Sequence, residues 1–110
     1  MPIATVEKVR ALTQDLGTQA RLAELLGVSR SRVTRWLQGD GIDPLNAEQI
    51  DLLEVVMASL LRLYEPDAAL AWLLGVNPYL GDRQPIWFIR KRRFEEVLDA
   101  IRASRAGSFA

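Results

Sequence analysis

The stretch "QARLAELLGVSRSRVTRWLQG", residues 19–39, decides the fold. Thr18 precedes it as a helix N-cap, and Leu22, Ala23, Leu25 and Leu26 recur at helical spacing until Gly27 interrupts them. Ser29 then caps a second helix whose buried face is Val33, Trp36 and Leu37, and Gly39-Asp40-Gly41 closes the unit. A small Ala23 lets the two helices cross closely. Gly27 supplies a turn position where positive φ is cheap only without a Cβ, and Val28, Val33 and Trp36 fill the wedge between the helices. Arg30, Arg32 and Arg35 stand outside this apolar set. On a helix starting near Ser29, Arg30, Ser31, Thr34 and Arg35 project away from Val33 and Trp36, so this face is built to meet something anionic.

Helical periodicity extends in both directions from there. Val6, Val9, Leu12 and Leu16 make one face of a first helix that ends at Gly17. After Gly41, two starts compete for a long helix. Asp43-Pro44 offers an N-cap with proline in the first turn. Asn46 with Gln49 offers a capping box, reinforced by Leu45 and Ile50 at staple spacing, so Asn46 is the expected cap. That helix continues through Leu53, Val56, Leu60 and Leu63 to about Tyr64. Pro66 opens a shorter helix carrying Trp72, Asn77-Pro78 and Gly81-Asp82 mark turns, Pro85 begins another short helix, and the last covers Phe94 to Ala106 before Gly107. No segment alternates with period two. The expected fold is all-α, divided into residues 1–42, a connecting and dimerising helix over 43–64, and a helical region over 65–110.

Composition narrows the chemistry. The 110 residues hold no cysteine and no histidine, which removes disulfides, thiol nucleophiles, imidazole bases and most transition-metal sites. The remaining carboxylates, such as Glu65, Asp67, Glu95 and Glu96, have no apolar pocket in the sequence pattern to tune them, so no catalytic residue, metal or cofactor is expected. No apolar run approaches bilayer length and no signal-peptide layout opens the chain, so the expected location is the cytoplasm, with no membrane partner expected. The net charge is zero, yet residues 1–42 carry six bases and four acids, residues 43–82 one base and seven acids, and residues 83–110 seven bases and three acids. Such segregation speaks to partners.

The hairpin resembles the helix-turn-helix of Xre and phage repressors, in the form Q-x-x-x-A-x-x-x-G-V-S-x-x-x-V-x-x-W-x-x-G. The resemblance implies that Gln19 contacts a phosphate, that Arg30, Ser31 and Arg35 face base edges in the major groove, and that Thr34 and Arg32 lie nearer the sugar-phosphate walls, with Ser29 at the helix start. A lone hairpin makes few phosphate contacts, so a homodimer presenting two recognition helices is expected.

The second half resembles the toxin-binding domain of the MbcA/ParS/Xre antitoxins. The family's helical A-x-x-W-L appears as Ala69, Trp72 and Leu73. Its N-P-x-L-x-x-x-x-P appears as Asn77, Pro78, Leu80 and Pro85, and its E-x-V-L-x-x-I is matched by Glu96, Val97, Leu98 and Ile101. This implies an antitoxin that binds operator DNA and neutralises a RES-domain toxin, one that consumes NAD+ or modifies proteins with it. Its last residues, here Gly107, Ser108, Phe109 and Ala110, would block the toxin's cleft. Two departures stand out. Trp87 and Phe88 replace small or acidic residues and are expected to widen an apolar contact with the toxin, together with Arg90. Since adjacent residues cannot both face one core, at least one of the pair is expected at an interface. The run Arg90 to Arg93 reads as a solvated face, or as a contact with DNA phosphates, acidic toxin surface or the acidic middle segment. Arg92 stands near a position usually held by glycine, so the bend there is expected to differ. The alternative is a stand-alone repressor whose second half only dimerises.

Overall fold

The computed structural model describes residues 4–107, which are helical apart from turns and one isolated bridge, Asn77 to Arg83. The helices are α1 (Thr5–Leu16), α2 (Gln19–Leu26), α3 (Arg30–Leu37), α4 (Pro44–Leu61), α5 (Pro66–Leu74), α6 (Pro85–Arg90) and α7 (Phe94–Gly107). A 3-10 turn over Pro78–Leu80 lies between α5 and α6. The chain divides into two units, residues 1–54 and 55–110, and α4 runs unbroken through the division. The expected connector is thus shared between the units. Ile50 and Leu53 are buried before the division, and Val56, Met57 and Leu60 after it.

In the first unit α1, α2 and α3 pack on one another. Val9, Leu12 and Leu16 of α1, Leu22, Ala23 and Leu25 of α2, and Val33 and Trp36 of α3 are buried. The caps follow from local chemistry. Thr18 Oγ1 accepts from the Arg21 amide at 3.1 Å, and Ser29 Oγ accepts from the Arg32 amide at 3.1 Å. Between them, Gly27 stands at φ +70°, with the Val28 amide donating to the Ala23 carbonyl at 3.0 Å and its own amide to Glu24 at 3.3 Å. This left-handed stop turns the chain from α2 into α3. Leu37, expected in the core, is only half-buried because α3 ends there.

The start of α4 corrects the sequence reading. Asp43, not Asn46, is the cap: its Oδ2 accepts from the Asn46 amide at 3.2 Å and its Oδ1 from Asn46 Nδ2 at 2.7 Å. Pro44 already holds a helical φ at the first turn, so the helix begins two residues before Asn46. Asn46 is buried and serves as the donor that answers Asp43.

In the second unit α6 packs on α5 and α7, and the 3-10 turn packs on α7. Its buried set includes Ala69, Leu73, Leu80, Ile86, Phe88, Ile89, Phe94, Val97, Ala100 and Ile101. Asn77 Oδ1 accepts from the Tyr79 amide at 2.9 Å, which starts the 3-10 turn, and Trp72 Nε1 donates to Ser104 Oγ at 3.3 Å. Gly107 is the last helical residue rather than a stop beyond the helix; its φ is not left-handed. Ser108, Phe109 and Ala110 lie outside the described residues.

Candidate functional site

The exposed face of α3 is the first candidate. Burial of Val33 and Trp36 turns Arg30, Ser31 and Arg35 to solvent, and Arg32 is exposed as well. Ser29 is exposed, with its hydroxyl engaged as the cap. Arg35 Nε lies 4.0 Å from Asp40 Oδ2, with both side chains well exposed, a contact too loose to hold the guanidinium away from a ligand. Arg32 acts on another neighbour. The Asp43 carboxyl is held below the usual aspartate range, first by the hydrogen bond from the Asn46 side chain, then by the Asn46 amide, with the charge of Arg32 contributing.

Thr34 has a role that the linear sequence hides. Its hydroxyl donates to Gln19 Oε1 at 2.6 Å, with the Arg30 carbonyl at 3.2 Å as a second acceptor. The bond joins α3 to the first residue of α2 and takes the acceptor end of Gln19. What Gln19 offers outward is then its Nε2 amide, a pure donor suited to an anionic oxygen. The structure thus brings Gln19, Arg30, Ser31, Thr34 and Arg35 to one hairpin, with Thr34 fixing Gln19. Spacing within one helix carries no sign of such a cross-helix pair.

The second candidate is the segment around α6, where the expected aromatic pair splits. Phe88 is 6% exposed and belongs to the unit's own core, so it does not extend a surface contact. Trp87 remains half-buried, edge-to-face with Phe88 at 4.9 Å between ring centroids. Adjacent helical residues point about 100° apart, which is why one goes in and the other stays at the surface. Three cations lie over the Trp87 ring: Arg83 at 4.3 Å, Lys91 at 5.7 Å and Arg93 at 5.8 Å from its centroid. Arg90 is exposed at the end of α6, and Arg93 also pairs with Glu96. Sequence reading missed Arg83, which a bridge and a 3-10 turn bring to the ring. It also missed a groove of about 630 Å3 whose lining includes Val55, Ser59, Leu63, Ile101, Arg62 and Arg102, since this needs α4 and α7 together.

Among the described residues no group of three His, Cys, Asp or Glu side chains is placed to hold a metal ion, and no helix is long and apolar enough to cross a membrane.

Comparison with known proteins agrees with this geometry. Residues 7–54 match the helix-turn-helix family model. Among curated proteins none matches the chain. One solved structure, described as the crystal structure of the M. tuberculosis MbcT-MbcA toxin-antitoxin complex, contains a chain that is 25% identical. The alignment has a TM-score of 0.81 and covers 99% of this chain and 100% of that one. Residues 7–54 therefore form a domain similar to the Xre-like helix-turn-helix family, and the chain as a whole is similar in fold to a component of a toxin-antitoxin complex.

Proposed function

We propose that this protein is a non-catalytic antitoxin and regulator: it binds operator DNA through α3 and neutralises a RES-domain, NAD-consuming or ADP-ribosylating toxin by protein contact. The observation that carries the reading is the likeness along 99% of the chain to a component of a toxin-antitoxin complex, joined to a helix-turn-helix match over residues 7–54. On the DNA side, Arg30 and Arg35 reach guanine edges, each bidentate contact being worth about 1–3 kcal/mol against a wrong base. Gln19, oriented by Thr34, donates to a phosphate at the start of α2. On the toxin side, residues Gly107 to Ala110 enter the nucleotide cleft, with Phe109 as the apolar plug. A homodimer supplies the second recognition helix.

Co-expression with the protein encoded beside it tests the partnership: a second polypeptide copurifies, and its NAD+ consumption is suppressed. Arg30→Ala with Arg35→Ala is expected to lower operator affinity at least tenfold, as loss of about 1.4 kcal/mol or more requires, and to leave suppression of the toxin unchanged. Deleting residues 108–110 is expected to do the reverse. Toxin inhibition that survives the deletion, or operator binding that survives the double substitution, rules out the corresponding half of the reading.

A further inference from the structure

The charge of the two units is distributed against expectation for a protein whose first unit binds DNA. Residues 1–54 hold six bases and eight acids, whereas residues 55–110 hold eight bases and six acids. The recognition helix thus sits in a unit with net negative charge, which weakens the long-range attraction to a polyanion. The densest cationic surface is elsewhere: Arg83, Arg90, Lys91, Arg92 and Arg93 fall within 11 residues, and all are exposed.

From this we infer that the Arg83–Arg93 surface is a second nucleic-acid contact, one that grips the phosphate backbone of duplex DNA without reading its sequence. The inference rests on the DNA-binding half of the proposed function.

Three observations favour a phosphate backbone over an acidic protein surface. First, every exposed residue from Arg83 to Arg93 is cationic or polar, while the apolar residues Ile86, Phe88 and Ile89 are buried. A protein interface puts apolar groups at its centre and charge at its rim; here the one apolar side chain left at the surface, Trp87, is half-buried with three cations over its ring, so charge dominates what is exposed. Second, Trp87 organises the cations. Arg83, Lys91 and Arg93 all stand within 5.8 Å of its ring centroid, so the negative π face gathers three charges at one place on the surface, where phosphate oxygens can meet them. Third, the backbone bends to place the run. At the end of α6 the Arg92 amide donates to Ile89 at 3.0 Å and the Arg93 amide to Phe88 at 2.8 Å, with Arg92 at φ +62°. This is the helix stop that Gly27 makes after α2, yet the left-handed position holds an arginine, the less favourable choice for the fold. The bend sets the exposed charge of Arg92 between those of Lys91 and Arg93.

The test uses the full chain and the triple variant Arg83→Gln, Lys91→Gln, Arg92→Gly, in which the glycine suits the bend and protects the fold. Binding to the operator and to a scrambled duplex of about 24 base pairs is followed by fluorescence anisotropy across a salt series. Every phosphate that the protein ceases to neutralise makes the slope of log K against log salt shallower by about 0.9. We expect the slope of the triple variant to fall by two to three such increments. Its binding to both duplexes should weaken about tenfold or more at low salt, with the ratio between them kept. Arg30→Ala with Arg35→Ala, run alongside, lowers that ratio. An unchanged slope and affinity in the triple variant overturn the inference while wild-type binding upholds the proposed function. Unchanged DNA binding with loss of the copurifying toxin also overturns it and gives the surface to a protein partner. A wild-type chain that holds neither duplex overturns both.

Discussion

Asp43 shows how much one side chain decides. Its carboxylate receives two hydrogen bonds from Asn46, and these hold its pKa below that of an ordinary aspartate. A group with a lower pKa folded than unfolded stabilises the fold fully above its unfolded pKa and loses that contribution as pH falls through the folded value. Thermal melts below about pH 4 are therefore expected to show a decline that Asp43→Asn flattens, because the amide still caps but does not titrate. Lys8 has the opposite sign. Its ammonium bonds Asp51 at 2.8 Å, which raises its pKa, so its contribution holds below the unfolded pKa and is lost only as pH rises through the folded one. At the DNA face, Thr34→Val keeps the shape and removes the donor to Gln19. Operator affinity is expected to fall about fivefold, the worth of one hydrogen bond of about 1 kcal/mol, and an unchanged titration would deny Thr34 its positioning role. These residues also mark what spacing alone conveys. Thr18 and Ser29 were legible as caps because a cap is local, its acceptor three residues from its donor. The choice between Asp43 and Asn46 was not, since both patterns are locally sound and Asn46 is buried in the folded unit. The bond from Thr34 to Gln19 crosses 15 residues, beyond the reach of any periodicity.

At the scale of the element, helix stops carry the next lesson. α2 and α6 end in the same hydrogen-bonded stop, one with Gly27 and the other with Arg92 in the left-handed position. Glycine announces such a stop in the sequence; arginine does not, although Arg92 takes the same left-handed geometry as Gly27. Reciprocal substitutions follow. A Cβ added at Gly27 meets nothing within 4 Å, so Gly27→Ala is expected to destabilise the chain by about 0.5–1 kcal/mol, the left-handed penalty less the freedom that alanine takes from the unfolded chain. Arg92→Gly relieves a penalty of that kind but gives the unfolded chain more freedom, leaving a net gain of about 0.5–1 kcal/mol. Urea titration of both variants checks the pair. A destabilised Arg92→Gly would mean that the side chain holds the bend through contacts of its own.

At the scale of the whole molecule, α4 is the element whose meaning the sequence left most open. Its length was legible, because Ile50, Leu53, Val56 and Leu60 keep helical spacing across it. Its assignment was not, because a hydrophobic stripe names no partner, and the division into units falls between Glu54 and Val55, inside the helix. An unbroken ladder of backbone hydrogen bonds links the two units in the chain, and helix formation is cooperative along such a ladder. Val55 is 48% exposed, so replacing it changes little apolar burial. Val55→Pro removes one rung and sets the proline ring against the preceding turn, at about 3 kcal/mol or more. Trp36 reports on the first unit, and Trp72 and Trp87 on the second. With the other tryptophans replaced by phenylalanine, single-tryptophan fluorescence in urea is expected to give coincident transitions for the parent chain and separated ones for Val55→Pro. Transitions that stay coincident at an unchanged midpoint would show that α4 transmits no folding energy across the division, leaving each unit to stand on its own core.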